Sequence, residues 1–309
     1  MSLKNNSVKI LVPATSANCG PGFDCLGLAT TLYNETEISL LAEENVTVDF
    51  EGEGLKDIPK GAENLIWQSA KMVIERAGYS EKFKGANIRM KNNIPVSRGL
   101  GSSSAAIVGG LFAANEILER PFDKTQLLEI ATEIEGHPDN VAPAILGGFT
   151  VSTLDGGKVH SFSFMPKIKL KLIVAVPDFQ LATSKARAVL PEKVSRKDAI
   201  FNISRAAMLV AALLEGRENF LRTAFEDAIH QPYRAKLIPG MEEVFAAAKK
   251  AGASGVAISG AGSCLIAFAL EKLHAEKDIA EEMVAAFRKN EVDSKALILD
   301  VSETGARVR

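Results

Sequence analysis

The stretch PVSRGLGSSSAAIVGG, Pro95–Gly110, constrains the fold of this chain more than any other. Ahead of it, Ala86–Lys91 alternates Ala, Ile and Met with Asn, Arg and Lys, the period of a half-buried strand. Behind it, small and apolar residues from Ser104 to Glu119 read as a helix that stops before Pro121. The intervening residues must turn strand into helix through Gly99 and Gly101, which accept backbone angles and close approaches denied to residues with a Cβ. Such a junction presents bare N–H groups and the positive end of a helix dipole, so an anion such as phosphate suits it. An ordinary serine-capped helix fits the same string.

No Lys-Ser/Thr follows the glycines, so the loop is not a Walker A motif, and as GxGxxS it falls one residue short of the dinucleotide fingerprint. Gly101–Ala105 has the outline of a hydrolase nucleophile elbow without its last glycine; the histidines open to such a role are His137 and His230. Ser102, Ser103 and Ser104 supply hydroxyl ligands, and a serine oxygen there could also help to hold Mg²⁺.

The rest of the chain segregates strand runs from helix runs. Val8–Val12, Thr31–Leu41 and Val46–Glu51 read as strands by their β-branched content, and Asn64–Gly78 as a helix by apolar spacings of three and four. Asp123 with Gln126 forms a capping-box pattern for a helix to Glu135. Phe149–Leu154 and Val159–Phe164 flank a hairpin turn at Asp155-Gly156-Gly157, and Leu170–Val176 is a further strand. Ala199–Leu214, Phe220–Ala228, Met241–Ala251 and His274–Lys289 read as helices. Gly255–Ser259, Ser263–Leu270 and Ala296–Val301 read as strands, the first two paired across glycines. This order predicts α+β layers, and 309 residues at about 150 per domain predict two lobes.

The 36 Lys+Arg nearly balance the 38 Asp+Glu, which argues against a nucleic-acid partner or an anionic membrane and leaves any anion site local. Cys19, Cys25 and Cys264 form no CxxC pair and cannot all be paired in disulfides, which fits a reducing compartment. The apolar run before Pro13 is too short for a signal-peptide core, so a cytoplasmic protein is expected.

The string IPVSRGLGSSSAA resembles the P-x-x-x-G-L-G-S-S-A phosphate loop of the GHMP kinases. VPATSANCGPGFDCLGLA (Val12–Ala29), EGHPDNVAPAILGG (Glu135–Gly148) and ISGAGSC (Ile258–Cys264) resemble that family's other motifs, in chain order. The resemblance implies a two-lobe α+β fold: an ATP-binding lobe like ribosomal protein S5 domain 2 over residues 1–165, and a ferredoxin-like lobe over 166–309. It implies ATP and Mg²⁺ as cofactors, with Pro95, Val96, Ser97, Arg98, Gly99, Leu100, Gly101, Ser102, Ser103, Ser104 and Ala105 around the phosphates. Asn64 on the adenine side, and Lys91 or Arg89 on the entering strand, would join the nucleotide site. The metal falls to Ser103 and Glu135, with Glu133 as the alternative carboxylate.

Within that family the motifs resemble more the branch whose acceptor is an amino acid, L-homoserine, than the branches that act on sugars or mevalonate. It implies that Asn18, Asp24, His137, Asn140, Arg187, Arg234 and Gly260 bind that acceptor, and that Asn140, His137 and Thr183 lie at the reacting groups. Asp24 suits an ammonium group and the two arginines suit a carboxylate. Asn140 cannot take a proton, so no general base is evident and catalysis would rest on positioning and electrostatics. A homodimer is also implied. Ser104 and Ser263 stand where relatives usually carry Ala and Pro.

Overall fold

The computed structural model describes residues 6–54 and 58–309. The first sheet contains β1 (Ser7–Ala17), β2 (Leu26–Leu41), β3 (Val46–Gly52), β4 (Gly85–Asn92), β5 (Phe149–Asp155) and β6 (Lys158–Phe164). Between these strands run helices α1 (Leu65–Arg76), α2 (Ser102–Ile117), α3 (Lys124–Glu135) and α4 (Pro138–Leu146). The second sheet contains β7 (Leu170–Pro177), β8 (Gly255–Ile258), β9 (Leu265–Leu270) and β10 (Ser294–Asp300). Helices α5 (Thr183–Ala188), α6 (Arg196–Glu215), α7 (Leu221–Ala224), α8 (Gln231–Arg234), α9 (Met241–Lys250) and α10 (Glu276–Lys289) belong to this half of the chain. A short last strand, β11 (Arg307–Val308), returns to pair with β1.

The first sheet runs β11-β1-β2-β4-β3, with β5 paired to the opening residues of β2 and β6 outside it. The second runs β10-β7-β9-β8 and is antiparallel throughout. Strand β7, followed along the chain by α9, β8, β9, α10 and β10, makes the ferredoxin-like arrangement. Strand β7 is apolar on both faces because both are covered. Leu172 and Val174 join the cluster beneath the first sheet, while Ile173 and Ala175 join a second cluster with Val244, Ile279 and Met283 of α9 and α10. One core therefore continues across both lobes.

Helix α2 is buried almost all round and packs against α1, α3 and α4 and the strands β1 and β2. Its small, uniformly apolar composition suits enclosure better than an amphipathic stripe would. The predicted capping box of α3 is present, with both Asp123–Gln126 hydrogen bonds formed.

Several elements differ from expectation: β1 runs on through Pro13 to Ala17 and β2 begins at Leu26, and three further differences concern helices. Helix α2 starts at Ser102 because Gly101, in the left-handed region, takes the cap position and brings all three serines into the first turn. Phe220–Ala228 is not one helix, since only a 3-10 turn and α7 form. The Asp227 carboxylate accepts the N–H groups of Ile229, His230 and Gln231, an alternative to helical bonding for that backbone. His274 adopts a left-handed conformation, which delays α10 to Glu276.

Candidate active site

The loop between β4 and α2 is pressed between the lobes. Gly99, at φ 80°, lies so close to the glycine turn of the second lobe, residues 258–264, that a Cβ would fall 2.0 Å from the carbonyl oxygen of Ser259. Ser259 returns a hydrogen bond from its hydroxyl to the Gly99 carbonyl at 2.7 Å. Gly101, at φ 69°, caps α2 without any side-chain bond, so the first N–H groups of α2 are left without a side-chain cap at the cleft. Arg98 is spent elsewhere: its guanidinium donates to the carbonyls of Val96, Pro177 and Asp178 and ties the loop to the end of β7.

Two serines then grip one carboxylate. Ser103 Oγ donates to Glu135 Oε2 at 3.1 Å, and Ser104 Oγ donates to Glu135 Oε1 at 2.8 Å. Glu133 instead pairs with Arg76 on the outside of the fold, so Glu135 is the carboxylate at the cleft. Ser104 is fully buried and reaches no ligand itself; it holds the side chain that could.

The other end of the cleft is charged. In the loop after β1, Asn18, Cys19 and Asp24 all have positive φ, a concentration of strain that the surroundings must over-determine. Asn18 supplies part of that restraint, donating to the Gly260 carbonyl and accepting the Asp24 N–H. The Asp24 carboxylate is bidentate with Arg187 of α5, at 2.6 and 3.0 Å. Arg234 of α8 is 1% exposed and donates to the carbonyls of Ala186 and Gly260. Burial, and then the nearby Arg187 cation, hold the Arg234 pKa down to about 10, still charged at neutral pH. A carboxylate arriving between the two guanidiniums would relieve that repulsion.

His137 donates from Nδ1 to Asp139 Oδ1 at 2.6 Å, leaving Nε2 for a ligand. Burial disfavours its charged form, but the hydrogen bond to Asp139 and that residue's charge raise its pKa above the usual histidine value. Ligand atoms of Asp24, His137 and Asp139 lie within 4.8 Å of one another, a concentration of negative charge suited to an ammonium group. Thr15 Oγ1 donates to Asn140 Oδ1 at 2.9 Å, which turns the amide N–H₂ of Asn140 toward donation. Thr183 begins α5 and also lines the cleft.

Ile58, Pro59, Leu65, Ile66, Met90 and Val96 form an apolar end beyond the phosphate loop. Met90 faces it because β4 alternates, and the same alternation puts Arg89 and Lys91 on the opposite, open face, where Lys91 lies 3.8 Å from Glu51. Lys91 is therefore not in the cleft. Asn64 borders it, yet both ends of its side chain are engaged: Oδ1 caps α1 at Ile66 N–H, and Nδ2 donates to the Pro59 carbonyl. Pro95, Leu100 and Ala105 are buried behind the loop and support it. Of Thr15, Asp139 and the apolar end, the sequence singles out Val96 in the phosphate loop and Asp139 only within the HPDN motif; it gives no signal for Thr15, and the β4 alternation is the one local signal for Met90.

An uncapped helix start in one cleft with an apolar patch and a cluster of charged side chains is a site of the kind that suits a small-molecule kinase. The GHMP kinases N terminal domain matches residues 64–148, and the GHMP kinases C terminal family matches residues 208–291. The homoserine kinase of Desulfitobacterium hafniense is 42% identical over 97% of this chain and 99% of its own length. That of Clostridium botulinum is 47% identical over 84% of this chain and 85% of its own. The crystal structure of homoserine kinase from Cytophaga hutchinsonii superposes with a TM-score of 0.90 at 29% identity, covering 100% of this chain and 99% of that one. The mevalonate kinase of L. major shares the fold, with a TM-score of 0.73 at 14% identity over 98% and 99% of the two chains. The chain belongs to the homoserine kinases of the GHMP kinase family, and it uses ATP. Among the described residues, no helix is long and apolar enough to cross a membrane.

Proposed function

We propose that this chain transfers the γ-phosphoryl group of ATP to the side-chain hydroxyl of L-homoserine, giving O-phospho-L-homoserine and ADP on the route to threonine. One observation carries the reading: an anion cradle at the start of α2 opens into a pocket holding two guanidiniums and a carboxylate. A sugar or mevalonate has no ammonium group to match Asp24. A zwitterion would exchange the Asp24–Arg187 pair for two pairs of its own, carboxylate with Arg187 and Arg234, and ammonium with Asp24.

The adenine would sit against the apolar end, and the phosphates at the N–H groups of residues 102–104. Ser103 and Glu135 offer only oxygen donors, as Mg²⁺ prefers. When bound, Mg²⁺ neutralises charge developing on the phosphates. The substrate hydroxyl oxygen bonds to the γ-phosphorus as the bridging bond to the β-phosphate breaks, ADP departs, and the hydroxyl proton passes to a phosphate oxygen. Asn140, His137 and Thr183 orient the hydroxyl and the transferring group; none of them is required as a base. We also assign a cytoplasmic, homodimeric enzyme.

Purified protein incubated with Mg·ATP and homoserine, serine, mevalonate, galactose or shikimate is expected to release ADP with homoserine. Turnover confined to a compound that is not an amino acid would overturn the reading. A second expectation concerns the buried serine: Ser104→Ala frees one oxygen of Glu135 and should weaken Mg²⁺ binding about fivefold, the worth of about 1 kcal/mol for one such bond. Calorimetric titration of Mg²⁺ into protein saturated with a non-hydrolysable nucleotide reads this directly. Unchanged affinity would reduce Ser104 to a packing role.

A further inference from the structure

Behind the charged pocket lies a histidine that the reaction itself does not require. His230, at the start of α8, is 1% exposed. Its Nε2 is 2.7 Å from the Gly20 carbonyl oxygen, and its Nδ1 is 3.3 Å from Nη1 of Arg234. A carbonyl can only accept and a guanidinium can only donate, so Nε2 must carry the proton and Nδ1 must not. The surroundings thus specify the neutral Nε2–H tautomer.

The two contacts reach opposite sides of the pocket. Gly20 belongs to the strained loop that presents Asp24, whereas Arg234 lies on α8, in the other lobe. A parallel tether reinforces the first contact: Asn202 donates to the adjacent Pro21 carbonyl and to Asp227, whose carboxylate also accepts the His230 N–H. The Phe23 ring lies 5.4 Å from the His230 ring and 5.4 Å from each of the Arg187 and Arg234 guanidinium carbons. One imidazole therefore sets the spacing between the groups for an ammonium and for a carboxylate.

We propose that His230 is a positioning residue for the amino-acid acceptor, and that only its neutral form holds Arg234 and the Asp24 loop in register. Protonation at Nδ1 would set an N–H against the Arg234 N–H and a second cation beside the guanidinium. Asp227, whose Oδ2 is 3.6 Å from Nε2, faces the ring from the preceding turn, Asp24 from the loop, and Arg234 from α8 itself. Burial dominates, and the His230 pKa is lowered from its ordinary value. A lowered histidine pKa means that the arrangement is complete above the ordinary value and is lost as pH falls through the lowered one. Acceptor affinity, not nucleotide affinity, should therefore weaken in acid.

The proposal rests on the amino-acid reading of the pocket, and its test separates the two. In the wild type, KM for homoserine should climb as pH is lowered from about 7.5 to about 5, while KM for ATP stays within about twofold. His230→Asn keeps an acceptor near the Nδ1 position but cannot ionise, so its KM for homoserine should follow pH less steeply than that of the wild type. His230→Leu removes both contacts and should raise KM for homoserine about tenfold at pH near 8, with kcat little changed, one lost bond to a charged group being worth that factor. Nitrogen-15 NMR of the wild type, which needs no variant to fold, should report the Nε2–H tautomer. An Nδ1–H tautomer, a wild-type KM for homoserine in His230→Leu, or equal pH slopes in the wild type and His230→Asn would each overturn the assignment. Absence of homoserine turnover in the wild type would instead defeat the substrate reading.

Discussion

Gly99→Ala is expected to abolish measurable ATP binding and to lower the melting temperature. The new Cβ would sit 2.0 Å from the Ser259 carbonyl and 3.0 Å from the Gly262 nitrogen, both backbone atoms that cannot swing aside. At φ 80° the backbone is also unfavourable for any residue with a Cβ. Together, overpacking and backbone strain cost about 2–5 kcal/mol. The phosphate loop relieves them by lifting away from the second lobe, which carries the N–H groups of residues 102–104 out of line. A melting curve and a titration with a non-hydrolysable ATP analogue measure both effects; ATP affinity within about twofold of wild type, less than about 0.5 kcal/mol, would show that the two glycine loops need not touch.

Arg234→Leu is expected to raise KM for homoserine by about two to three orders of magnitude, as the loss of a buried, hydrogen-bonded charge costs about 2–5 kcal/mol. The variant loses the carboxylate partner, strands the carbonyl of Ala186 and the Nδ1 of His230, and leaves the Gly260 carbonyl to Asn18 alone. Nucleotide affinity should persist, since in the proposed arrangement the base and phosphates would lie toward the other end of the cleft. An acceptor without a carboxylate sharpens the test. The wild type should use 3-aminopropan-1-ol poorly, and the variant should use it no worse than the wild type does. A large further loss on the amino alcohol would mean that Arg234 acts through the architecture of the pocket and not through the carboxylate.

The sequence carries its local structure openly and its long-range pairings hardly at all. The α3 capping box and the alternation along β4 depend on neighbours in the chain, and both are present. The family motifs drew attention to Asn18, Asp24, His137, Asn140, Arg187 and Arg234, and one cleft collects all six. Lys91 shows the limit of reading a charged residue beside a phosphate loop, because the alternation of β4 turns it away from the cleft while Met90 turns in. Ser104 is explained only by Glu135, which approaches from the far end of α3. His230 resembles a candidate base until the carbonyl of Gly20, from the opposite lobe, is seen to fix its proton. Contacts of that range depend on how the two sheets stack, and no local spacing encodes them.

The division of labour among helices bears on how such a chain can diversify. In the proposed reaction the phosphate chemistry falls to α2, a long helix buried in the shared core. In the same proposal acceptor recognition falls to α5 and α8, two short helices that each present one arginine to the cleft. Selection can revise those two helices and the loop around Asp24 while the phosphoryl-transfer machinery stays intact. A new acceptor is then reachable through a handful of replacements.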